Sequence, residues 1–268
     1  MSRIAARFAE LKAAEKAALI PFVTAGDPDA QTTVHLLHAL VEAGADVVEL
    51  GIPFSDPMAD GPVIQRAGER ALAGGMSLAG VLNIVKEFRK KDAQTPVVLM
   101  GYLNPIEAMG YQVFAEAAAA AGVDGAIVVD LPPEEGEDVV RELKAAGMDL
   151  IFLISPNTSP ARIAKIAEHA SGYLYYVSLK GVTGAANLDP AEVAQRVEVI
   201  KGLTPLPVGV GFGISTPALA ASVGRVSDAV VVGSALVQIV EKTLPNTQDV
   251  PAKVAELIAG MRAEMDKR

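Results

Sequence analysis

Eight short β-rich runs alternate with helical patterns along the whole chain, and that alternation sharply restricts the folds open to it. The runs are Leu19–Thr24, Asp46–Leu50, Val97–Gly101, Gly125–Val129, Asp149–Ile154, Tyr173–Val177, Pro207–Val210 and Asp228–Val232. Several are unbroken apolar stretches, such as Ala126-Ile127-Val128-Val129 and Ala229-Val230-Val231-Val232. Strands read that way when both faces of a parallel sheet are covered. Parallel strands need crossovers, and helices supply them. Thr32–Ala43 carries Val34, Leu37, Leu40 and Val41 at helical spacing, and Pro133–Ala146 opens with Pro and acids and stops at Gly147. Pro160–Ala170, Pro190–Lys201, Pro217–Val223 and Pro251–Lys267 read as further helices. Ahead of the first strand, Met1–Glu10 forms an amphipathic helix with interleaved charges and no signal-peptide core.

The 268 residues suit one α/β barrel, which typically takes about 250. The expectation is a single (β/α)8 TIM barrel with an extra N-terminal helix, one catalytic domain over 1–268. A doubly wound open sheet is the rival. Even strand spacing and the lack of G-x-G-x-x-G after the first strand favour closure.

Composition removes several chemistries. No Cys is present, which excludes disulfides, thiolate nucleophiles and Cys-ligated zinc. His35 and His38 share a helix face, but no carboxylate completes a metal set, so a surface or packing role is expected of them. His169 falls late in a helix, where a cationic imidazole suits the dipole. No metal is expected. The net charge of −9 opposes nucleic acid or an anionic membrane as partner. The longest uncharged stretch, Leu203–Gly224, holds three Pro and four Gly and is no membrane span, so a cytoplasmic enzyme is expected.

Two strand–Gly–helix junctions mark a candidate phosphate site. The seventh strand runs into Gly211-Phe212-Gly213-Ile214-Ser215 and the eighth into Gly233-Ser234-Ala235. Gly lets backbone approach an anion, and a helix start presents unpaired N–H groups. Barrels commonly place phosphate after these two strands. Either junction alone is ordinary turn chemistry. Neither segment contains Lys or Arg, so backbone dipoles and the Ser234 hydroxyl would carry the grip.

The acids fall at strand ends. Glu49 is set in the apolar run Val47-Val48-Glu49-Leu50, and strand parity puts it with Val47, opposite Val48 and Leu50. Buried without a cation, its pKa would rise, which suits acid–base work; the alternative is a structural, hydrogen-bonded Glu. The long loop Ile52-Pro53-Phe54-Ser55-Asp56-Pro57-Met58-Ala59-Asp60-Gly61-Pro62 holds two more acids. Turn chemistry accounts for Asp56 and competes with function at Asp60. Asp130 reads first as a turn or helix-start residue. Gly181, Gly184 and Ala185, after the sixth strand, give a loop with the small residues of a lid.

Four motifs carry a resemblance along essentially the whole chain: Pro21-Phe22-Val23-Thr24-Ala25-Gly26-Asp27-Pro28, Glu49 through Pro62, Gly181-Val182-Thr183-Gly184 and Gly211 through Ser215. The chain resembles the tryptophan synthase alpha chain family. The resemblance implies cleavage of indole-3-glycerol phosphate to indole and glyceraldehyde 3-phosphate, a retro-aldol reaction without Schiff base or metal. Glu49 would be the acid–base group, and Asp60 would accept the indole N–H. Phe22, Met100, Tyr102, Ile127, Val129, Leu153 and Tyr175 match positions around the indole or glycerol. Gly184, Phe212, Gly213, Gly233 and Ser234 match the phosphate grip, and Thr183 the lid residue that meets Asp60 on closure. A beta chain holding pyridoxal phosphate would be the partner, in an alpha2-beta2 tetramer, facing Pro53–Asp60 and Asn104–Pro105. No cofactor is expected in this chain. Leu179-Lys180 departs from the Arg-Ser of some members, and Met100 stands where Leu is common.

The absence of Lys from the strand cores independently disfavours a Schiff-base aldolase. On residues alone, two other classes stay open: another phosphate-handling barrel, or a non-catalytic activator of a partner chain.

Overall fold

A computed structural model describes residues 2–178, 190–211 and 213–267. The chain begins with α1 (Arg3–Ala13), β1 (Ala18–Thr24), α2 (Ala30–Glu42) and β2 (Val48–Gly51). Two helices, α3 (Pro62–Ala73) and α4 (Leu78–Arg89), lead to β3 (Val97–Gly101). Two more, α5 (Leu103–Met109) and α6 (Tyr111–Ala121), lead to β4 (Gly125–Val128). Then come α7 (Glu137–Ala145), β5 (Asp149–Ile154), α8 (Pro160–His169) and β6 (Leu174–Val177). The second half ends with α9 (Pro190–Lys201), β7 (Val208–Gly211), α10 (Pro217–Gly224), β8 (Ala229–Val232), α11 (Ser234–Thr243) and α12 (Val250–Met265). Each strand pairs in parallel with its sequence neighbour, and β8 closes on β1 through Ala18↔Ala229. The expected closed barrel is the one observed, and the open sheet is excluded.

Strand parity divides the apolar residues into two layers. One set, including Leu19, Val48, Leu50, Leu99, Val128, Leu174, Val210 and Val230, packs outward under the helices. The other, Ala18, Ile20, Val47, Val98, Ile127, Ile151, Tyr173, Tyr175, Ala229 and Val231, fills the interior. The N-terminal helix completes that inner cluster with Ile4, Phe8 and Leu11, so α1 plugs the N-terminal end of the barrel.

Aspartates fix this N-terminal face. Asp46 accepts Leu19 N–H at 2.8 Å and pairs with Arg7 at 2.6 Å and Arg262 at 3.1 Å. Asp124 accepts Val97 N–H at 2.8 Å and pairs with Arg3 at 2.7 Å and Arg89 at 2.8 Å. Asp228 accepts Val208 N–H at 2.8 Å and pairs with Lys201 at 2.8 Å. These side chains satisfy N–H groups at the sheet edge, where otherwise water or nothing would. The expected strands therefore begin slightly too early at Asp46 and Asp228, because both residues serve the ladder ends and do not extend the strand.

One expected helix is broken. Pro133–Ala146 resolves into a 3-10 turn over Pro133–Glu135 and α7 from Glu137. Gly136 separates them; its N–H closes the short turn on Pro133 O, and Gly is a poor residue with which to continue a helix. His38 packs its ring 4.8 Å from Phe88, as a packing role requires.

Candidate active site

Glu49 lies inside the barrel, paired in register with Phe22 of β1 and Val98 of β3. It is 0% exposed. Tyr173 Oη, from the opposite side of the barrel, donates to Glu49 Oε1 at 2.5 Å. Oε2 has no hydrogen-bond partner among the described residues. Burial without a cation pushes the carboxyl up to about 8, and the Tyr173 hydrogen bond restrains the rise. Near neutral pH this Glu is largely a neutral acid. Burial and the neighbouring Glu49 also push the Tyr173 and Tyr175 phenols up, so both remain donors. Tyr173 was not among the residues expected at the site. Its parity with Tyr175 across β6 was the available signal.

Asp60 sits half-buried in the loop between β2 and α3. Tyr102 Oη accepts Ala59 N–H at 3.0 Å, and Gln65 Nε2 donates to Asp60 O at 2.9 Å. The Phe54 ring lies 5.4 Å from Tyr102. These contacts, from Tyr102 just after β3 and from Gln65 of α3, hold an otherwise irregular loop. Burial pushes the Asp60 carboxyl up to about 6, and a hydrogen bond from Tyr102 opposes the rise. The neighbouring acids behave differently. Asp56 is exposed and accepts from Ser55. Asp130 accepts the Leu103 N–H at the start of α5 at 2.8 Å, the helix-start role expected of it.

Both acids open onto one cavity of about 410 Å³ at the C-terminal end of the barrel. Phe22, Met100, Val129, Leu153 and Tyr175 supply apolar walls. Gly213, Gly233 and Ser234 line its other end. Ile127 lies deeper, in the packed interior layer, and does not reach the cavity. Tyr102 lines an adjoining rim pocket with Phe22, Asp60, Met100 and Val129. Thr183, Gly184, Phe212 and the lid positions Gly181 and Ala185 lie outside the described residues.

At the far end of the cavity, Gly213 has φ +80°, a conformation that disfavours a side chain. Ser234 opens α11, and no side chain caps that helix. The Leu236 N–H already bonds Gly233 O, which leaves the Ser234 and Ala235 N–H groups and the Ser234 hydroxyl as donors at this end among the described residues. Gln238, one turn further along, also lines the cavity and was missed in the sequence; the i, i+4 spacing from Ser234 was its signal. No Lys or Arg appears among the described lining residues. Gly211 has another duty: a Cβ there would collide with the Tyr175 hydroxyl, so the residue gives room to that ring.

This arrangement offers a neutral buried acid, a second carboxyl in a wetter setting, an apolar chamber and an anion-compatible helix start. No cluster of three or more metal-ligating side chains occurs among the described residues. Two carboxyl groups held at different acidities can divide donor and charge-stabilising roles.

Known proteins resemble this chain along nearly its whole length. Residues 8–266 match the family model described as tryptophan synthase alpha chain. The tryptophan synthase alpha chain of Burkholderia thailandensis is 59% identical over 266 residues, covering 99% of this chain and 97% of that protein. The crystal structure of tryptophan synthase subunit alpha from Legionella pneumophila superposes with a TM-score of 0.92 at 49% identity, covering 99% of each chain. A chain from the tryptophan synthase a2b2 complex of Pyrococcus furiosus superposes with a TM-score of 0.85 at 38% identity, covering 92% of this chain and 98% of that one. Full-length coverage at such identity leaves no part of the barrel unaccounted for: the chain belongs to the tryptophan synthase alpha chain family.

Proposed function

We propose that this chain cleaves indole-3-glycerol phosphate to indole and glyceraldehyde 3-phosphate as the alpha subunit of a tryptophan synthase, with its 268 residues acting as one catalytic domain. The observation that carries the reading is Glu49: a buried carboxyl with one free oxygen, facing the same apolar cavity as Asp60.

The chemistry needs such a group. Indole leaves poorly as an anion, so its C3 must first gain a proton. Glu49, neutral near pH 7 through burial, donates it. Positive charge then grows on the ring nitrogen, and Asp60 accepts that N–H and stabilises the charge. The resulting Glu49 carboxylate takes the proton from the hydroxyl on the carbon bonded to C3. That carbon becomes the aldehyde, the C–C bond breaks, and its electron pair returns to the ring. One proton enters at C3 and one leaves the hydroxyl, so Glu49 ends as it began. The Ser234 and Ala235 N–H groups at the start of α11, the Gly213 backbone, the Ser234 hydroxyl and Gln238 would hold the phosphate, while Phe22, Met100, Val129, Leu153 and Tyr175 would enclose the indole.

The partner would be a beta chain that carries pyridoxal phosphate and receives the indole, in an α2β2 assembly of cytoplasmic enzyme. The relative from Pyrococcus furiosus comes from such a complex. Met58, 80% exposed on the loop that holds Asp60, supports docking at this rim. No described helix is long and apolar enough to cross a membrane.

Incubation with indole-3-glycerol phosphate, with and without a beta chain, tests the reading through indole release. Wild type is expected to release indole, faster with the beta chain, and Glu49→Gln to release almost none. No indole under either condition would overturn it.

A further inference from the structure

The proposed reaction uses Glu49 but leaves its support unexplained. Among the described residues Glu49 has one hydrogen bond, from Tyr173, and that phenol must span the barrel interior to make it. On the β7 side of the Tyr173 ring lies Gly209, which has no side chain to pack against it; a Cβ there would reach the ring at 3.5 Å, an ordinary contact distance. The ring's aromatic neighbour comes from outside the sheet: Phe8 of α1, with centroids 5.6 Å apart and planes tilted by 40°. Phe8 and Tyr173 are both buried in the inner cluster.

The orientation of α1 is fixed from its other side. Ser2 Oγ donates to Asp149 at 2.6 Å, Arg3 pairs with Asp124 at 2.7 Å, and Arg7 pairs with Asp46 at 2.6 Å. These contacts span three strand starts and set the rotation at which Phe8 points inward.

We propose that α1 is the floor of the active site and that Phe8 is a positioning residue, holding the Tyr173 ring whose hydroxyl holds Glu49. The site would then depend on a helix at the end of the barrel opposite the substrate mouth. The inference rests on Glu49 being the acid–base group. Among the described residues, the titratable groups facing Glu49 are Tyr173, just ahead of β6, and Tyr175 within it, with Asp60 across the cavity. The charged residues Arg3, Arg7 and Glu10 of α1 engage one another or the N-terminal aspartates.

The test is the pH profile of kcat/KM for indole release in wild type, Phe8→Ala, Phe8→Leu, Tyr173→Phe and the Phe8→Ala/Tyr173→Phe pair. Tyr173→Phe removes a hydrogen bond that favours the carboxylate, so the Glu49 limb should move to higher pH. Phe8→Ala frees the Tyr173 ring and weakens the same hydrogen bond, so the limb should move in the direction of Tyr173→Phe, to higher pH, but by less, with kcat/KM down about tenfold. In the Tyr173→Phe background, Phe8→Ala should lower kcat/KM by about threefold or less, because the tether is already absent. Truncating a buried ring can unfold a barrel, so Phe8→Leu is the second probe: it keeps an apolar floor and should shift the limb in the same direction by less. Leu11→Ala controls for loosening of α1 in general, since Leu11 shares the inner cluster with Phe8 while Phe8 is the residue stacked beside the Tyr173 ring. The inference is overturned if folded Phe8 variants keep the wild-type profile, if their losses simply add to that of Tyr173→Phe, or if Leu11→Ala shifts the profile equally. Wild type that releases no indole would instead defeat the functional reading, so the two failures are distinguishable.

Discussion

The two ends of the barrel treat buried carboxylates in opposite ways. At the N-terminal face, Asp46 and Asp124 each receive a backbone N–H and two arginines. Deeper inside, Glu49 is at least as buried, yet among the described residues it meets one phenol and no cation, and one oxygen is left without a partner. Asp60 likewise has a phenol and no ion pair among the described residues. A charged, fully satisfied carboxylate secures a sheet edge but has no proton to give. An under-satisfied one destabilises its charged form and so keeps a proton available near neutral pH. The difference separates acids that hold the fold from acids that can react. It also shows how the two ends meet, because the arginines on Asp46 and Asp124 include those that set α1 beneath Tyr173.

Exchanging charge at the two ends tests this division. Glu49→Gln should cut indole release by about a thousandfold or more in steady-state assays. Asp124→Ala should instead leave turnover within a few-fold, while denaturant melts show a loss of about 3 kcal/mol from stranding Arg89 and Val97 N–H. Asp60→Asn keeps an acceptor for the indole N–H but loses the charge, so kcat should fall by about a hundredfold with stability little changed. Gly211→Ala should cost about 2 kcal/mol in melts and raise KM, because the new methyl drives the Tyr175 ring toward the cavity.

The subtlest effect is on stability against pH. The Glu49 carboxyl holds its proton in the native state up to about 8, whereas an unperturbed Glu releases it near 4.5. Native protein therefore binds more protons across that window, and wild-type stability falls as pH rises through it. Glu49→Gln lacks this slope. Its melting temperature should match wild type near the lower limit and exceed it progressively toward the upper one. A constant offset between the two would mean that Glu49 is not perturbed.

Much of this was legible in the sequence. Eight apolar runs with helical crossovers specify a closed parallel sheet, and parity at Val47-Val48-Glu49-Leu50 turned Glu49 inward. The Gly junctions marked the end proposed to hold the anion because backbone needs at Gly213 and the open N-terminus of α11 are local. Long-range relations were not legible. Tyr173 meets Glu49 across 124 positions of chain, and nothing local marks it beyond alternation with Tyr175. Gly211 was read as an anion contact, yet its tight constraint comes from a ring on the neighbouring strand. Ile127 matched the site by resemblance, but the strand carries its side chain one layer below the cavity. The break at Gly136 was hidden by a Pro- and acid-rich segment that reads as one helix start.

The most direct measurement is the protonation of Glu49 itself. Infrared difference spectra of wild type against Glu49→Gln isolate its carboxyl band through a pH titration. The band should persist at neutral pH and disappear with a midpoint near 8. A midpoint in the ordinary range, about 4.3, would contradict the account, because Glu49 would then be a carboxylate with no proton to deliver to the indole ring.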